Sequence, residues 1–185
     1  MMRKLTVRDI VIAGVLGAVA ILLGVTRLGY IPVPTAAGNA TIMHIPAIIG
    51  GIMQGPVVGL IVGAIFGISS FLNATVPLFK DPLVAILPRL FIGVVAWLVY
   101  VGLRGKSEYF GVAAAAFIGT LTNTVLVLIM AVLRNYLTPG VAWTVGITNG
   151  VPEAIVGTIV TLAVVLAWKR IGKSNKSKIS KDVDV

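Results

Sequence analysis

The sequence predicts an all-α integral membrane protein with six transmembrane helices and both termini on the cytoplasmic side. Three observations lead there. Hydrophobic residues make up 58% of the chain and charged residues only 11%, with a mean hydropathy of +1.05; soluble domains carry about 25% charged residues. Six apolar segments follow one another, each bounded by Pro, Gly, Asn or basic residues. The cations gather at the termini and in one short loop instead of covering a surface.

That clustering decides what the net charge of +9 means. A nucleic-acid surface would spread its Lys and Arg over a folded face; here they mark the ends of spans. Three (Arg3, Lys4, Arg8) precede the first segment, two (Arg104, Lys106) lie in one short loop, and six follow residue 168. The opposite loops carry Arg27, Lys80 and Arg134. Eleven against three places the termini and the 104–106 loop in the cytoplasm. Residues 1–172 are read as one six-helix membrane domain, and 173–185 as a basic, disordered cytoplasmic tail.

The first span is expected over residues 9–26. Asp9 stands at its start, where a carboxylate meets the positive end of the helix dipole. Ala13/Gly17 and Gly14/Ala18 form two overlapping small-xxx-small pairs. Residues 27–41 are expected as a long loop, broken by Pro32 and Pro34. The spans at 42–54 and 57–72 are too short to cross about 30 Å of hydrocarbon upright. They are expected to form a hairpin, turned at Gly55-Pro56 and partly shielded from lipid by the protein. Gly55, Gly59, Gly63 and Gly67 recur every four residues and so share one helix face. Each costs about 1 kcal/mol of helix propensity relative to Ala, which points to close packing, either within the chain or against a docking partner. The remaining spans are expected at 83–103, 108–133 and 147–168, with a second long loop over 134–146.

Ionisable and amide groups inside spans are costly and mark function. Arg89, Asn123, Asn149 and Glu153 fall at similar depth in three spans, and Asn149 and Glu153 are one helical turn apart. They describe either a pocket open to the outside or a structural Arg89–Glu153 ion pair with amide glue. The cytoplasmic halves of these spans are uniformly apolar, so a binding bowl is expected without a path through the membrane. Asn39 and His44 are placed at the rim of that bowl. Tyr30, Phe79, Tyr136 and Trp143 fall in outside loops, as an interfacial belt or as caps on a flat ligand.

No catalytic constellation or phosphate loop is present, so no enzyme activity or cofactor is expected. The absence of Cys and the single His exclude Cys-based and multi-histidine metal centres.

The short basic N-terminus, the small-xxx-small first span, the long first loop, and the stretches NATIMHIPAIIGGIMQGPVVGLIVGAIFGISSFL and LPRLFIGVVAWLVY resemble the substrate-binding (S) component of an energy-coupling factor (ECF) transporter. The resemblance covers nearly the whole chain up to about residue 173. It implies a vitamin-binding subunit whose pocket near the outer face is lidded by the first loop, and which works with a transmembrane coupling protein and two cytoplasmic ATPases. It also implies delivery by tipping over in the membrane, and docking to the coupling protein through first-span positions matched here by Ala13 and Gly17, with Gly14 and Ala18 alongside. The likeness is greatest to riboflavin-specific members, so riboflavin is the expected ligand, with pantothenate as the alternative. A carboxylate ligand such as pantothenate would need an Arg89 free of Glu153. Residues 39–44 read Asn-Ala-Thr-Ile-Met-His where many riboflavin-specific members have a Tyr-Asp-x-Ser-like sequence.

Overall fold

The computed structural model describes residues 5–32 and 39–183, with side chains over 5–30 and 41–170. Helix α1 (Val7–Val25) opens on a capping box: Thr6 Oγ1 accepts from the Asp9 amide at 3.3 Å, and Asp9 Oδ2 accepts from the Thr6 amide at 2.9 Å. The expected loop over 27–41 holds a small antiparallel ribbon, β1 (Tyr30–Pro32) on β2 (Asn39–Thr41), with Tyr30 opposite Thr41. Short strands at its two ends satisfy backbone groups that Pro32 keeps out of a helix.

Helices α2 (Ile45–Gln54) and α3 (Pro56–Leu72) form the expected hairpin, turned at Gly55 with φ +104°. Ten residues span only about 15 Å, half a bilayer. Eight of the ten, from Ile45 to Ile52, are buried, which makes α2 the centre of the bundle; it touches α1, α3, α5, α6 and α8. A helix apolar all round requires that position.

The next span is broken. A 3₁₀ turn (Pro77–Lys80) leads into α4 (Pro82–Ala85), and α5 (Leu87–Leu103) starts afresh because Pro88 has no amide to continue α4. Helix α6 (Glu108–Leu133) follows. The expected second long loop is mostly helix: Thr138 caps α7 (Pro139–Val145), and a π turn (Gly146–Gly150) joins it to α8 (Val151–Val183). Pro139 at the first helical position starts that helix early. The α8 backbone is helical to Val183, past residue 172, beyond which composition predicts a disordered tail; side chains beyond 170 lie outside the described residues. Among the described residues, four helical stretches are long and apolar enough to cross a membrane: Val7–Val25, Pro82–Leu103, Glu108–Leu133 and Pro139–Arg170. α2 and α3 are apolar but shorter.

The glycine ladder is an internal seam. A Cβ on Gly59 would stand 2.8 Å from Gly93 Cα and 2.9 Å from Gly51 Cα; one on Gly67 would stand 2.9 Å from Ile86 Cα; one on Gly63 would collide with the Arg89 carbonyl. Backbones of α2, α3 and α5 thus meet at three glycines, Gly51, Gly59 and Gly93. Gly55 has open space where a Cβ would go and serves the turn instead. In α1 the small residues divide. Ala13 and Gly17, matched above to docking positions, are buried against the hairpin, with Ile65 Cδ1 2.6 Å from where a Gly17 Cβ would sit. Gly14 and Ala18, about 100° further round the helix, are exposed. The Ala13/Gly17 part of the expected docking set is thus taken up by the hairpin, since one helix face cannot pack on α3 and on a partner at once; Gly14 and Ala18 are the members left exposed.

At the end of the bundle away from the ribbon, Lys169 Nζ donates to Tyr100 Oη at 2.7 Å and bridges Glu108, tying α5, α6 and α8 together.

Candidate ligand site

Close packing at Gly63 brings the α5 backbone against α3 and fixes where Arg89 starts. Its side chain, 4% exposed, runs into the bundle. Nη1 donates to the Val84 carbonyl of α4. The guanidinium lies 5.6 Å from the Phe66 ring centre and 5.0 Å from that of Phe79, a cation–π arrangement with two rings. Nε has no hydrogen-bond partner. Arg89 and Glu153 do not form the ion pair that the sequence leaves open. Among the described residues no carboxylate pairs with Arg89: Asp81 pairs with Arg134, and Glu108 with Lys169.

Glu153 is engaged elsewhere. Its Oε1 accepts from the Thr41 amide at 2.7 Å. It therefore anchors the ribbon to α8. Asn149 sits in the π turn, buried, and accepts from Thr148 Oγ1 at 3.2 Å. An extra residue in a helical turn re-aims the side chains around it, a device common at functional sites. Asn123, on α6, is buried with Oδ1 unpartnered.

His44 is not at a rim; it is fully buried between α2, α6 and α8. Thr120 Oγ1 donates its one proton to the Ala116 carbonyl at 2.9 Å. The 2.9 Å contact between Thr120 Oγ1 and His44 Nε2 must then be donated by the ring. A neutral His44 so held has Nδ1 as a bare acceptor, and Nδ1 has no partner. Gly157 lies against this pair, since a Cβ there would be 2.8 Å from Thr120 Oγ1. The polar row continues one turn along α8 to Thr161, also buried and unpartnered, and ends at buried Val165. It is thus longer than the sequence suggests, yet stops short of the Lys169 cluster.

Buried polar atoms without partners are uncommon and each needs a cause. Among the described residues there are four: Arg89 Nε, Asn123 Oδ1, His44 Nδ1 and Thr161 Oγ1. Three belong to residues singled out from the sequence. Together they offer a charged donor and two acceptors, a set able to hold a ligand with an anionic end and hydroxyl or amide donors.

Of the other expected site residues, Tyr30 is half-exposed on β1, and Phe79 covers the guanidinium instead of standing free. The Asn39 side chain lies outside the described residues. Tyr136 and Trp143 are exposed, as an interfacial belt requires. Thr41, Phe66, Thr120 and Gly157 were missed. Gly157 stands four residues after Glu153, and Thr120 three before Asn123, so helical spacing alone could have flagged both. Two apolar surface hollows of about 260 and 250 Å³ lie elsewhere, one along Ile118–Val125 of α6 and one between Ile21 and Ile65.

Asp81 ties two connections at one end of the bundle: it caps Leu83 through Oδ1 at 3.0 Å and meets Arg134 Nε through Oδ2 at 2.6 Å. The Arg134 hydrogen bond holds the Asp81 carboxyl below the usual carboxylate range. The bridge is intact at neutral pH and is lost only as pH falls through that lowered value.

The family model for "ECF transporter, substrate-specific component" matches residues 8–165. The chain is 29% identical, over 90% of its length and 96% of the relative's, to the pantothenic acid transporter PanT of Lactococcus lactis subsp. cremoris (strain MG1363). Its fold is similar to that of a solved S component of a bacterial ECF transporter, with a TM-score of 0.58 at 20% identity, covering 91% of this chain and 98% of that one. A helical bundle with four long apolar stretches, carrying a family match over most of its length, belongs to the substrate-specific components of ECF transporters and is a multi-pass protein of the cell membrane.

Proposed function

We propose that this chain is the pantothenate-binding subunit of an ECF importer, with Arg89 as the anchor for the ligand carboxylate. One observation carries the reading: a buried guanidinium with an unpartnered Nε and no ion-paired carboxylate among the described residues. A buried charge without a counter-ion is costly, and a ligand carboxylate would supply one through charge-assisted hydrogen bonds. Asn123 Oδ1 and His44 Nδ1 then accept from the amide and hydroxyl groups of the same ligand. The 29% identical relative named as a pantothenic acid transporter supports this choice. Riboflavin, the ligand expected from the sequence, loses support because Phe79 is occupied by the guanidinium and a neutral flavin leaves Arg89 uncompensated.

The six apolar helices are read as six passes, with α2 and α3 as the short hairpin shielded by the rest. The lysine and arginine bias then puts the termini and the Lys169 end in the cytoplasm and the ligand site near the outer face. A transmembrane coupling protein and two ATPases complete the importer. Purified protein in nanodiscs is expected to bind radiolabelled pantothenate and to leave riboflavin fluorescence unquenched at micromolar flavin. Flavin quenching without pantothenate binding would overturn the assignment.

The exposed Gly14/Ala18 face of α1 is the one we assign to the coupling protein. Gly14→Leu with Ala18→Leu is expected to cut uptake by the assembled transporter at least about tenfold, the effect of losing roughly 1.4 kcal/mol of interface. Pantothenate affinity of the isolated subunit should be unchanged. A parallel loss of affinity would show that the face serves the fold instead.

A further inference from the structure

Residues 77–84 approach Arg89 twice. The Phe79 ring lies 5.0 Å from the guanidinium carbon, and the Val84 carbonyl accepts from Nη1. The two contacts are held differently. Val84 and Ala85 are fully buried, so α4 is anchored by its own packing. The 3₁₀ turn that carries Phe79 buries none of its residues. Immediately after that turn comes Asp81, 6% exposed, with one oxygen on the Leu83 amide and the other on Arg134. Arg134 caps the end of α6, the helix that supplies Thr120 and Asn123 to the site.

We propose that Arg134 is a positioning residue for the ligand site: through Asp81 it fastens the Phe79 turn to the end of α6, holds the ring over Arg89, and so sharpens the preference for a carboxylate over a neutral ligand. This rests on Arg89 being the carboxylate anchor. With no carboxylate among the described residues to orient it, the guanidinium takes its direction from the Val84 carbonyl and the two rings. Phe66 is buried on α3 and needs no help. Phe79 is the movable member, and a guanidinium covered by one ring only can swing its free Nε away from the ligand. The bridge suits this role because its carboxylate is buried and doubly bonded while Arg134 is half exposed: losing Arg134 leaves Asp81 short of a partner in a place where water cannot fully replace it.

The test uses the full chain in nanodiscs, as wild type, Arg134→Gln, Arg134→Lys and Lys80→Gln; the last removes a neighbouring exposed cation and leaves the bridge intact. Without ligand, amide exchange at Leu78, Phe79 and Lys80 should quicken about fivefold in Arg134→Gln, the size of one partly screened charge-assisted contact. Arg134→Lys should restore wild-type exchange, Lys80→Gln should not differ from wild type, and α3 and α5 should exchange as before. With ligand, the probes are pantothenate and pantothenol, its neutral alcohol analogue. Arg134→Gln should release pantothenate faster and lose about fivefold of the carboxylate preference, and Arg134→Lys should recover it. Unchanged exchange at the turn overturns the fastening, and faster exchange with an unchanged preference overturns the positioning role. If wild type binds neither probe, the pantothenate reading fails and takes the specificity half with it, while exchange still decides the fastening.

Discussion

Replacing Arg89 with methionine is expected to abolish tight pantothenate binding while leaving the protein as stable as before. The side chain is buried, its Nε is unpartnered, and no carboxylate pairs with it among the described residues. Truncating one partner of a buried charge pair costs about 2–5 kcal/mol, so the dissociation constant should rise roughly thirtyfold or more. The same change removes an uncompensated charge from an apolar interior, which is favourable, and leaves the Val84 carbonyl without its donor, which costs about 1 kcal/mol. These nearly cancel. The informative result is therefore the pair of measurements: affinity by equilibrium binding and melting temperature by scanning fluorimetry. Binding lost with stability kept identifies a residue maintained for its ligand. Binding kept, or a collapse in melting temperature, would mean that Arg89 is a structural cation and that the anchor lies elsewhere.

The second large effect concerns the fold that holds Arg89 in place. Gly59→Ala adds one methyl where α2, α3 and α5 meet backbone to backbone, 2.8 Å from Gly93 Cα and 2.9 Å from Gly51 Cα. Neither neighbour has a side chain that can swing aside, so whole helices must separate. Overpacking of this kind costs about 1–3 kcal/mol, against a gain of about 1 kcal/mol in helix propensity. A clear drop in melting temperature is expected, with weakened ligand binding because Arg89 starts one turn away on the same α5 face. Gly102→Ala, on α5 with open space around it, has only the propensity gain and should be neutral or stabilising. Equal effects at the two positions would show that the seam is loose enough to breathe.

The class of the protein and most of its polar site were legible before any coordinates. Arg89, Asn123, Asn149 and Glu153 stand out because a membrane interior tolerates few such groups, and all four are buried in the bundle. What was not legible depends on contacts between residues far apart in sequence. Glu153 looked like a partner for Arg89, but the Thr41 amide, 112 positions away, occupies it. Asp81 and Arg134, 53 positions apart, read as two unrelated loop charges. His44 looked like a rim residue because it follows a long loop, yet α2 carries it into the centre.

The small residues of α1 show the same division most simply. Sequence by itself determined that the chain is a membrane protein of this family, that its cations cluster in the N-terminal segment, the 104–106 loop and the C-terminal tail, and that glycines line one face of α3, because hydropathy, charge and period are local properties of the string. Only the tertiary structure decided that the α3 ladder seals against α5, that Ala13 and Gly17 turn inward on the hairpin, and that Gly14 and Ala18 face out. The helical period assigns residues to faces, but it does not say which face meets a neighbour. That is decided by shape, where backbones without side chains can come closest, and the same close approach leaves Arg89 buried with one nitrogen unspent.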